Sequence, residues 1–394
     1  MERYYFDWAA TAIPGNPSSI HHTEGKAARQ ALEDARNRCA GVLGVKPDEI
    51  YFTSGGTESN ALVLFSLLTK TRRLAYQQTA DTASSFFIYS ATEHPSIREN
   101  AAMLEQLGIP CTTIGVEQDG RVSVEKLEKT LVKNPQTRMA AIMAVNNETG
   151  AINDIKLLSA VIRKKQKNAI HIHCDAVQAL GKIKFDLQNR DIDSASFSAH
   201  KFGGSRGIGL LWLKKPLIPL IRGGDQEKKI RPGTENTQGA IDCADALERL
   251  SQTEGYTEKQ AALKTINCAE TGAAQRMKAF FELLQTTDSF IPVPSGRKAE
   301  DNHYSPWICQ CAFKNKNGII IPGEVMARAL DEKGFAVSTG SACSSAEKKR
   351  PVLDAMGVDK EISLGGIRIS QGYSTTMEEI KMLAGTIITL LNTL

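Results

Sequence analysis

The sequence predicts an α/β protein in which a large domain, built on a mainly parallel sheet, is followed by a smaller α+β domain. Short apolar segments alternate with helical segments up to about Leu250, and such alternation implies a parallel sheet covered on both faces. Beyond that point come a long charged helical stretch and a segment rich in Pro, Ser, Gly and Lys. The length of 394 residues also exceeds the size at which one hydrophobic core keeps growing.

The elements follow in order along the chain. A first helix is predicted over residues 20–43, where Gly44 and Pro47 end it. In the large domain, strands are predicted at 49–53, 86–90, 139–145, 170–174 and 194–198, with helical segments at 59–68, 97–107 and 155–165 between them. In the small domain, we expect a helix over 258–284, a loop over 292–302, a strand over 307–313, a helix over 324–333 and a strand over 367–370.

The composition is ordinary for a globular protein, with 41% hydrophobic and 23% charged residues. The formal net charge of +4 is small for this length, so neither nucleic acid nor a membrane surface is expected as a partner. The N-terminus has no apolar stretch typical of a signal peptide, and no uncharged apolar run approaches the ~20 residues that cross a bilayer. We therefore expect a cytoplasmic protein.

The eight cysteines are scattered singly, apart from Cys309-Gln310-Cys311. That pair has no second pair at zinc-site spacing and lies in a predicted strand, so we expect no metal site. In a reducing cytosol most of these thiols should be small buried hydrophobes. Cys343 is treated separately below.

Four polar segments fall just after predicted strands, and ligands of open α/β sheets bind beyond the carboxyl ends of strands, so we expect the segments to converge. In the first, Gly55-Gly56-Thr57-Glu58 opens a helix. Free backbone N–H groups at a helix N-terminus, together with a Thr hydroxyl, suit a phosphate. The same pattern is also typical of a turn with an N-cap.

The second segment is Asp175-Ala176-Val177-Gln178. A carboxylate at the end of a buried strand is unfavourable unless something pairs with it. A protonated pyridine nitrogen would be a suitable partner. The alternative is that Asp175 is simply the N-cap of a following helix.

The third segment, Ser198-Ala199-His200-Lys201-Phe202-Gly203-Gly204, places a lysine in a tight Gly-rich turn. A lysine amine can form an imine with an aldehyde, and a cationic or desolvating neighbourhood lowers its pKa towards the working range. Ser198 and His200 could donate hydrogen bonds to an anion. Most lysines are surface charges, so the interpretation of Lys201 depends on this context.

The fourth segment is the small, polar, Gly-containing run Ser338-Thr339-Gly340-Ser341-Ala342-Cys343-Ser344-Ser345. A thiol on such a loop is a candidate nucleophile, and an inert surface thiol is the alternative. Separately, Arg368 lies in the middle of an otherwise apolar predicted strand. Its planar guanidinium would suit either a protein carboxylate or the α-carboxylate of a substrate.

Together these segments resemble the fold-type-I pyridoxal-phosphate (PLP) enzymes of the class V aminotransferase family, and specifically cysteine desulfurases of the NifS/IscS type. The resemblance covers nearly the whole chain in order, and the conjunction of its modest motifs makes it specific. The matching elements are Asp7 to Thr11, Asn16 to His21, Thr53 to Asn60, Glu93-His94, Asn146 to Gly150, Asp175 to Gln178, Ser198 to Lys201, Arg231 to Asn236, Gly340 to Ser345 and Ile367 to Ser370.

This resemblance implies a seven-stranded, mainly parallel sheet in a large PLP-binding domain at residues 14–252. Residues 1–13 and 253–394 would form the small α+β domain that carries the catalytic cysteine. A homodimer is implied as well.

The resemblance also assigns cofactor contacts. Lys201 would hold PLP as a Schiff base, and Asp175 would face the pyridinium nitrogen so that the ring acts as an electron sink. Gln178 would hydrogen-bond the phenolic oxygen, while His94 would stack on the ring. The phosphate would be bound by Gly56, Thr57, Ser198 and His200, with Thr234 reaching it from the second subunit.

For the substrate, L-cysteine, the resemblance implies that Asn147 and Arg368 hold the carboxylate. The freed Lys201 amine would remove the Cα proton, and the Cys343 thiolate would attack the substrate sulfur, giving an enzyme persulfide and L-alanine. His94 is a suitable acid–base partner for the thiols, because an imidazole titrates near neutral pH. Passing the persulfide on by thiol exchange needs a mobile, exposed Cys343 loop.

The chain departs from the family pattern in places. The segment between Thr11 and Asn16 is shorter than usual, which affects the expected active-site entrance or dimer seam. Trp8, Asp225 and Gln371 also stand where other residues are commoner. None of these positions is an expected PLP contact, so the departures concern the dimer seam and the acceptor surface.

Three functions are compatible with these motifs. The first is a cysteine desulfurase that supplies sulfur, through an acceptor protein, for iron–sulfur clusters or thiolated tRNA. The second is another class V PLP enzyme, such as an aminotransferase, a selenocysteine lyase or a kynureninase-like hydrolase. The third is a catalytically silent paralogue that acts as a binding protein. Cys343 favours the first over the second, and the complete set of PLP contacts disfavours the third.

Overall fold

The computed structural model describes residues 3–76, 85–166, 170–188, 191–252, 272–340 and 350–393. Two predicted features fall outside these ranges: the first part of the helix predicted over 258–284, and the cysteine at position 343.

The large sheet contains seven strands: β1 (Ile50–Thr53), β2 (Phe86–Ser90), β3 (Cys111–Ile114), β4 (Thr137–Ala141), β5 (His171–Asp175), β6 (Ser194–Ser198) and β7 (Gly209–Leu213). Their order across the sheet is β1-β7-β6-β5-β4-β2-β3. The strands from β6 through β5, β4 and β2 to β3 are parallel, whereas β7 is antiparallel to both β6 and β1. The predicted α/β class and mainly parallel sheet are confirmed.

Six helices accompany this sheet in the described chain: α1 (Thr23–Leu43), α2 (Gly56–Tyr76), α3 (Pro95–Gln106), α4 (Val124–Lys133), α5 (Ile155–Gln166) and α6 (Thr237–Gln252). The first helix begins at Thr23 because the Nδ1 atom of His22 caps it, accepting a hydrogen bond from the Gly25 N–H at 3.1 Å. It ends at Gly44, as predicted, where φ is 68°. None of the described helices is long and apolar enough to cross a membrane.

Two apolar cores lie on opposite faces of the large sheet. One contains Leu32 and Leu247 from helices α1 and α6, and the other contains Leu64 and Ile97 from α2 and α3. Neighbouring residues of β7 divide between them, since Leu210 packs in the first core and Leu211 in the second. Because β7 is buried on both faces, its sequence shows no alternation, and periodicity did not identify it.

Some predicted boundaries were wrong. The strand predicted over 139–145 is β4 at Thr137–Ala141, because Val145 instead pairs with Ile152 across a turn. The helix that Gly55-Gly56-Thr57-Glu58 is predicted to open does begin at Gly56, directly after β1, but it extends to Tyr76, beyond the predicted end at residue 68.

A second, three-stranded antiparallel sheet has the order β10-β9-β8, where β8 is Phe290–Val293, β9 is Ile308–Phe313 and β10 is Ile367–Ser370. The accompanying described helices are α7 (Gly272–Leu284), α8 (Gly323–Asp331), α9 (Pro351–Ala355), α10 (Lys360–Gly365) and α11 (Met377–Leu391). Helices α7, α8 and α11 form a core with this sheet, which includes Phe281 and Phe313 and buries Cys309 and Cys311. Helix α9 instead packs Val352 and Leu353 into the first core of the large sheet. The loop predicted over 292–302 was wrong in its first two residues, because they pair with β9.

Arg297 connects the two sheets. Its side chain is buried and donates hydrogen bonds to the carbonyl oxygens of Thr149 at 2.8 Å and Ile308 at 2.9 Å. The turn that follows β4 is thereby held against the start of β9.

A buried ion pair anchors α1 to the edge of the large sheet. The Arg36 guanidinium donates to both carboxylate oxygens of Glu227 at 2.8 Å, and also to the Ile50 carbonyl oxygen. The Arg36 and Glu227 side chains are only 3% and 1% exposed. Removing one partner of such a pair leaves the other as an uncompensated buried charge.

We predict that Arg36→Met lowers the free energy of unfolding by about 3–5 kcal/mol, measured by urea titration. Arg38 is the matched control, since it lies on the same helix but pairs with Asp245 and Glu248 in solvent, with 35% of its side chain exposed. For Arg38→Met we expect a loss of about 1 kcal/mol or less. Equal losses in the two variants would contradict the assignment of Arg36 as a buried anchor.

Candidate active site

The carboxyl ends of β5 and β6 and the beginnings of α2 and α3 enclose a cavity of about 260 Å³. The predicted site residues that line it are Gly56, Thr57, His94, Asn147, Asp175, Gln178, Ser198, His200 and Lys201. Three of the four polar segments therefore converge, as the sheet topology requires. The fourth segment ends, within the described chain, at Gly340, and Cys343 lies outside the described residues.

One end of the cavity is built to receive an anion. At the N-terminus of α2, Gly55 has a φ of 148°, and a Cβ atom on Gly56 would lie 2.5 Å from the Val177 side chain. The Ser198 hydroxyl lies 3.0 Å from Nδ1 of His200 beside this turn. Desolvation lowers the pKa of His200, and the charge of Lys201 lowers it further. The backbone N–H groups of a helix start and these neutral donors suit a phosphate.

Asp175 ends β5 with a carboxylate that is only 5% exposed. Its Oδ2 atom accepts from the Asn60 side-chain amide at 2.9 Å, and its Oδ1 atom accepts from the Val177 N–H at 3.0 Å. Among the described residues it forms no ion pair. The alternative of a helix N-cap is wrong, because residues 176–182 form turns and no helix follows.

Gln178 is oriented by a residue that sequence reasoning missed. The Lys182 amine donates a hydrogen bond to Oε1 of Gln178, so the amide oxygen faces Lys182. The Nε2 group is then available to the cavity. Burial lowers the pKa of Lys182 to about 7, and the charges of Lys201 and Arg368 add to this effect. The sequence signal for this contact was the spacing of four residues between Gln178 and Lys182.

His94 is the N-cap of α3, and its Nδ1 atom accepts from the Ser96 N–H at 3.1 Å. Because Nδ1 is an acceptor, the neutral ring carries its proton on Nε2. Burial lowers the pKa of His94, against an opposing effect of Asp175. The imidazole is therefore neutral and can donate through Nε2.

Lys201 follows β6 in a single 3₁₀ turn, Ala199–Lys201. Much of its side chain is open to the cavity, yet partial desolvation and the charge of Arg368 hold the pKa of its amine below the usual range. A larger fraction of neutral amine favours attack on an aldehyde.

Arg368 lies on β10 opposite Gln310 and donates from Nη1 to the Asn147 carbonyl oxygen at 3.1 Å. Within the described chain it forms no ion pair, although the buried carboxyl of Glu148 is close enough to act on its charge. Burial raises the pKa of Glu148. The alternative that Arg368 pairs with a protein carboxylate is therefore not realised among these residues.

Thr234 does not join this cavity. It is exposed, and it lies after Gly233, whose φ is 101°, in the segment before α6. The sequence-derived role of Thr234 as a contact from a second subunit stays a prediction.

Behind Asp175 lies a set of buried polar side chains whose roles the sequence reasoning missed. The Asn60 amide nitrogen donates to Asp175 and also to Ser96 Oγ at 2.8 Å, while its Oδ1 atom lies 2.9 Å from Nε2 of His173. Nδ1 of His173 lies 2.8 Å from the Ser194 hydroxyl, which in turn lies 2.8 Å from Nε2 of His171. Complete burial is the main reason that the pKa of His173 is lowered to about 3, and the charge of His171 adds to this effect.

The model of the family described as aminotransferase class-V matches residues 1–383, and the chain belongs to this family. It is 35% identical to a protein named cysteine desulfurase IscS from Dictyoglomus turgidum, over 93% of this chain and 84% of that protein. The resemblance to NifS/IscS-type proteins is therefore confirmed.

Solved structures agree with this assignment. The chain superposes on a NifS-like protein with a TM-score of 0.80 and 31% identity, covering 96% of this chain and 92% of the other. A structure titled SspA in complex with cysteine gives a TM-score of 0.71 and 28% identity, covering 90% of each chain. Enzymes of this family depend on PLP.

The depressed pKa of His173 predicts a pH-dependent stability. The unfolded histidine takes up a proton below about pH 6.5 and the folded one only near its pKa of about 3. The contribution of His173 to the free energy of unfolding is thus fully present above pH 6.5, and it decreases as the pH falls from 6.5 towards 3. Between pH 7 and pH 5, wild type should lose about 2 kcal/mol more unfolding free energy than His173→Gln.

Urea titrations at the two pH values provide the measurement. The same substitution at the exposed His21, His21→Gln, should leave the wild-type pH dependence unchanged. If His173→Gln keeps that dependence too, His173 is not the buried neutral group described above.

Proposed function

We propose that this chain is a PLP-dependent cysteine desulfurase that takes sulfur from L-cysteine and releases L-alanine. The observation that carries the proposal is a single cavity that combines the Lys201 amine, a buried Asp175 carboxylate without an ion pair among the described residues, and a helix start suited to an anion, with Arg368 beside it. Relatives across most of the chain are named cysteine desulfurases. An aminotransferase or a selenocysteine lyase is not favoured by these names.

The cavity residues fit PLP group by group. Asp175 lacks a cation among the described residues, and a protonated pyridine nitrogen would supply one. The phosphate would bind Gly56, Thr57, Ser198 and His200, at a turn where a Cβ on Gly56 would occupy the space. Gln178 presents its Nε2 group for the phenolic oxygen, and the Lys201 amine is the covalent attachment point. His94 would lie against the ring.

When bound, this cofactor supplies an electron sink that makes the Cα proton of the substrate acidic. The chain's own residues orient the substrate and move the proton. The Arg368 guanidinium and the Asn147 side chain would hold the carboxylate of cysteine, which fixes Cα near Lys201. The Lys201 amine, with its lowered pKa, would accept the Cα proton. His94 would donate from Nε2 to the sulfur.

Cys343 would take the sulfur. Its thiolate attacks the sulfur of the bound cysteine, so that an S–S bond forms while the Cβ–S bond breaks. The electron pair of the broken bond stays with the three-carbon fragment, which leaves as alanine after protonation. The resulting persulfide can then pass its outer sulfur to an acceptor thiol by exchange.

We further propose that the chain works as a cytoplasmic homodimer that delivers sulfur to an acceptor protein for iron–sulfur cluster assembly or tRNA thiolation. An exposed Thr234 is compatible with a contact to the phosphate site of a second subunit. Phe6 and Trp8, which are 91% and 58% exposed, offer apolar surface for such a dimer. The division into a large domain at 14–252 and a small domain at 1–13 and 253–394 belongs to the same proposal. It is supported by the core that α7, α8 and α11 form with the second sheet, while Val352 and Leu353 of the small domain pack into the core of the large sheet.

The first test is spectroscopic. The purified protein should be yellow, absorbing at ~400 nm, and should release alanine and sulfide from L-cysteine in the presence of a thiol. Lys201→Ala should lose the absorbance band and the activity, because the amine is the attachment point and the base. Lys215→Ala, at an exposed lysine away from the cavity, should retain both. A colourless wild type that does not take up PLP would refute the proposal.

The second test separates desulfuration from other PLP chemistry. Cys343→Ala should keep the yellow colour and lose turnover with dithiothreitol by roughly 10³-fold or more, because it removes the nucleophile. Cys111→Ala is the control, since Cys111 packs at the edge of the large sheet and does not line the cavity. Full turnover by Cys343→Ala would show that this thiol does not accept the sulfur.

A further inference from the structure

The buried polar side chains behind the cavity form one continuous set of hydrogen bonds between Asp175 and His94, the two groups proposed to lie along the cofactor ring. Asn60 lies at its centre. Its amide nitrogen is 2.9 Å from Asp175 Oδ2 and 2.8 Å from Ser96 Oγ, and Ser96 Oγ is 2.9 Å from Nδ1 of His94. Asn60 has no exposed surface, and Ser96 is 7% exposed.

Elementary donor and acceptor rules fix the direction of each of these bonds. The Asp175 carboxylate can only accept, so Asn60 must present its NH₂ group to it, and the second N–H of that group points to Ser96. Ser96 Oγ accepts from Asn60 and donates its own hydrogen to Nδ1 of His94. The same Nδ1 also accepts from the Ser96 N–H. One amide group therefore supports both Asp175 and His94.

The other face of Asn60 is fixed in the same way. Since its nitrogen faces Asp175, its Oδ1 atom faces His173 and must accept from Nε2–H of that ring. The Ser196 hydroxyl is a weaker neighbour of the same nitrogen, at 3.3 Å. Complete burial keeps the His173 ring neutral, and its proton is then on Nε2. Nδ1 of His173 can therefore only accept, and the Ser194 hydroxyl, 2.8 Å away, is its donor.

We propose that Asn60 is a positioning residue that holds Asp175 and His94 in their working orientations, and that His173 keeps the Asn60 amide from turning over. If the amide turned over, its oxygen would face the Asp175 carboxylate, and two acceptors would be opposed in a buried site. The inference rests on the proposed PLP function, because it assigns a purpose to the geometry around Asp175 and His94. Neither Asn60 nor His173 would itself touch cofactor or substrate.

The bond directions can be tested on the cofactor-free protein. In protein with ¹⁵N-labelled histidine, long-range ¹H–¹⁵N spectra distinguish the two neutral forms of each of the seven histidine rings. At pH 7 we expect His173, assigned by its loss in His173→Gln, to be neutral with the proton on Nε2. A proton on Nδ1 would mean that Asn60 is turned over, and would overturn the proposal.

Cofactor affinity tests the consequence. The apparent dissociation constant for PLP, measured by equilibrium dialysis of the full chain, should rise about tenfold or more in Asn60→Ala and in His173→Leu. His173→Gln can restore a donor to Asn60 Oδ1 and should stay within about threefold of wild type. Ser66→Ala is the control on the same helix, because the Ser66 hydroxyl is buried and donates to the Val63 carbonyl oxygen within α2, away from Asp175 and His94.

The two proposals fail differently. If Asn60→Ala and His173→Leu bind PLP within twofold of wild type, Asn60 is not a positioning residue, whatever the wild type catalyses. If wild type itself binds no PLP, the proposed function fails, and the proton position on His173 still decides whether the bond directions are right. Thermal unfolding shows whether each variant keeps the fold. If Asn60→Ala has lost it, the difference in PLP affinity between His173→Leu and His173→Gln decides the test.

Discussion

The Asp175 carboxylate, held almost entirely out of water at the end of β5, is the constraint on which the arrangement of this site depends. A carboxylate in that place is tolerated only when its oxygens are hydrogen-bonded and a cation can reach it. The chain supplies the hydrogen bonds through Asn60 of α2 and the Val177 backbone, and among the described residues it supplies no cation. The Asp175 carboxylate therefore has hydrogen-bond donors but no positive partner among the described residues. A protonated pyridine ring would supply that positive charge.

At the opposite end of the cavity the side chains are positively charged. Desolvation lowers the pKa of Lys201, Lys182 and Arg368. The charge of Arg368 lowers the pKa of both lysines further, and the charge of Lys201 also acts on Lys182. An anion in the cavity would relieve this repulsion. A cofactor phosphate at the start of α2 and a substrate carboxylate at Arg368 would both do so, and the cavity therefore favours two anionic groups.

Much of the fold followed from local sequence signals. β2, β6 and β10 have the predicted bounds. β2 is an apolar run, whereas β6 and β10 alternate apolar residues with polar ones, and both patterns are typical of short strands. β7 and β3 were missed for opposite reasons: β7 is uniformly apolar, and β3 (Cys111–Ile114) carries two threonines with no clear alternation. The starts of α1 and α3 were misplaced by a few residues, because a histidine is the N-cap in both and is seldom recognised as one.

The sequence by itself determined the class of fold and the family. It also predicted that the candidate site residues converge, because Gly56, Asp175, Lys201 and their neighbours occur in short motifs at the ends of strands, and parallel strands end at one edge of a sheet. Only the tertiary structure decided which groups support them. Asn60, Ser96 and His173 come from α2, α3 and β5, and no local pattern relates residues that are 36 and 113 positions apart. Their roles depend on burial and on the direction of each hydrogen bond, and both properties arise only when the elements pack together.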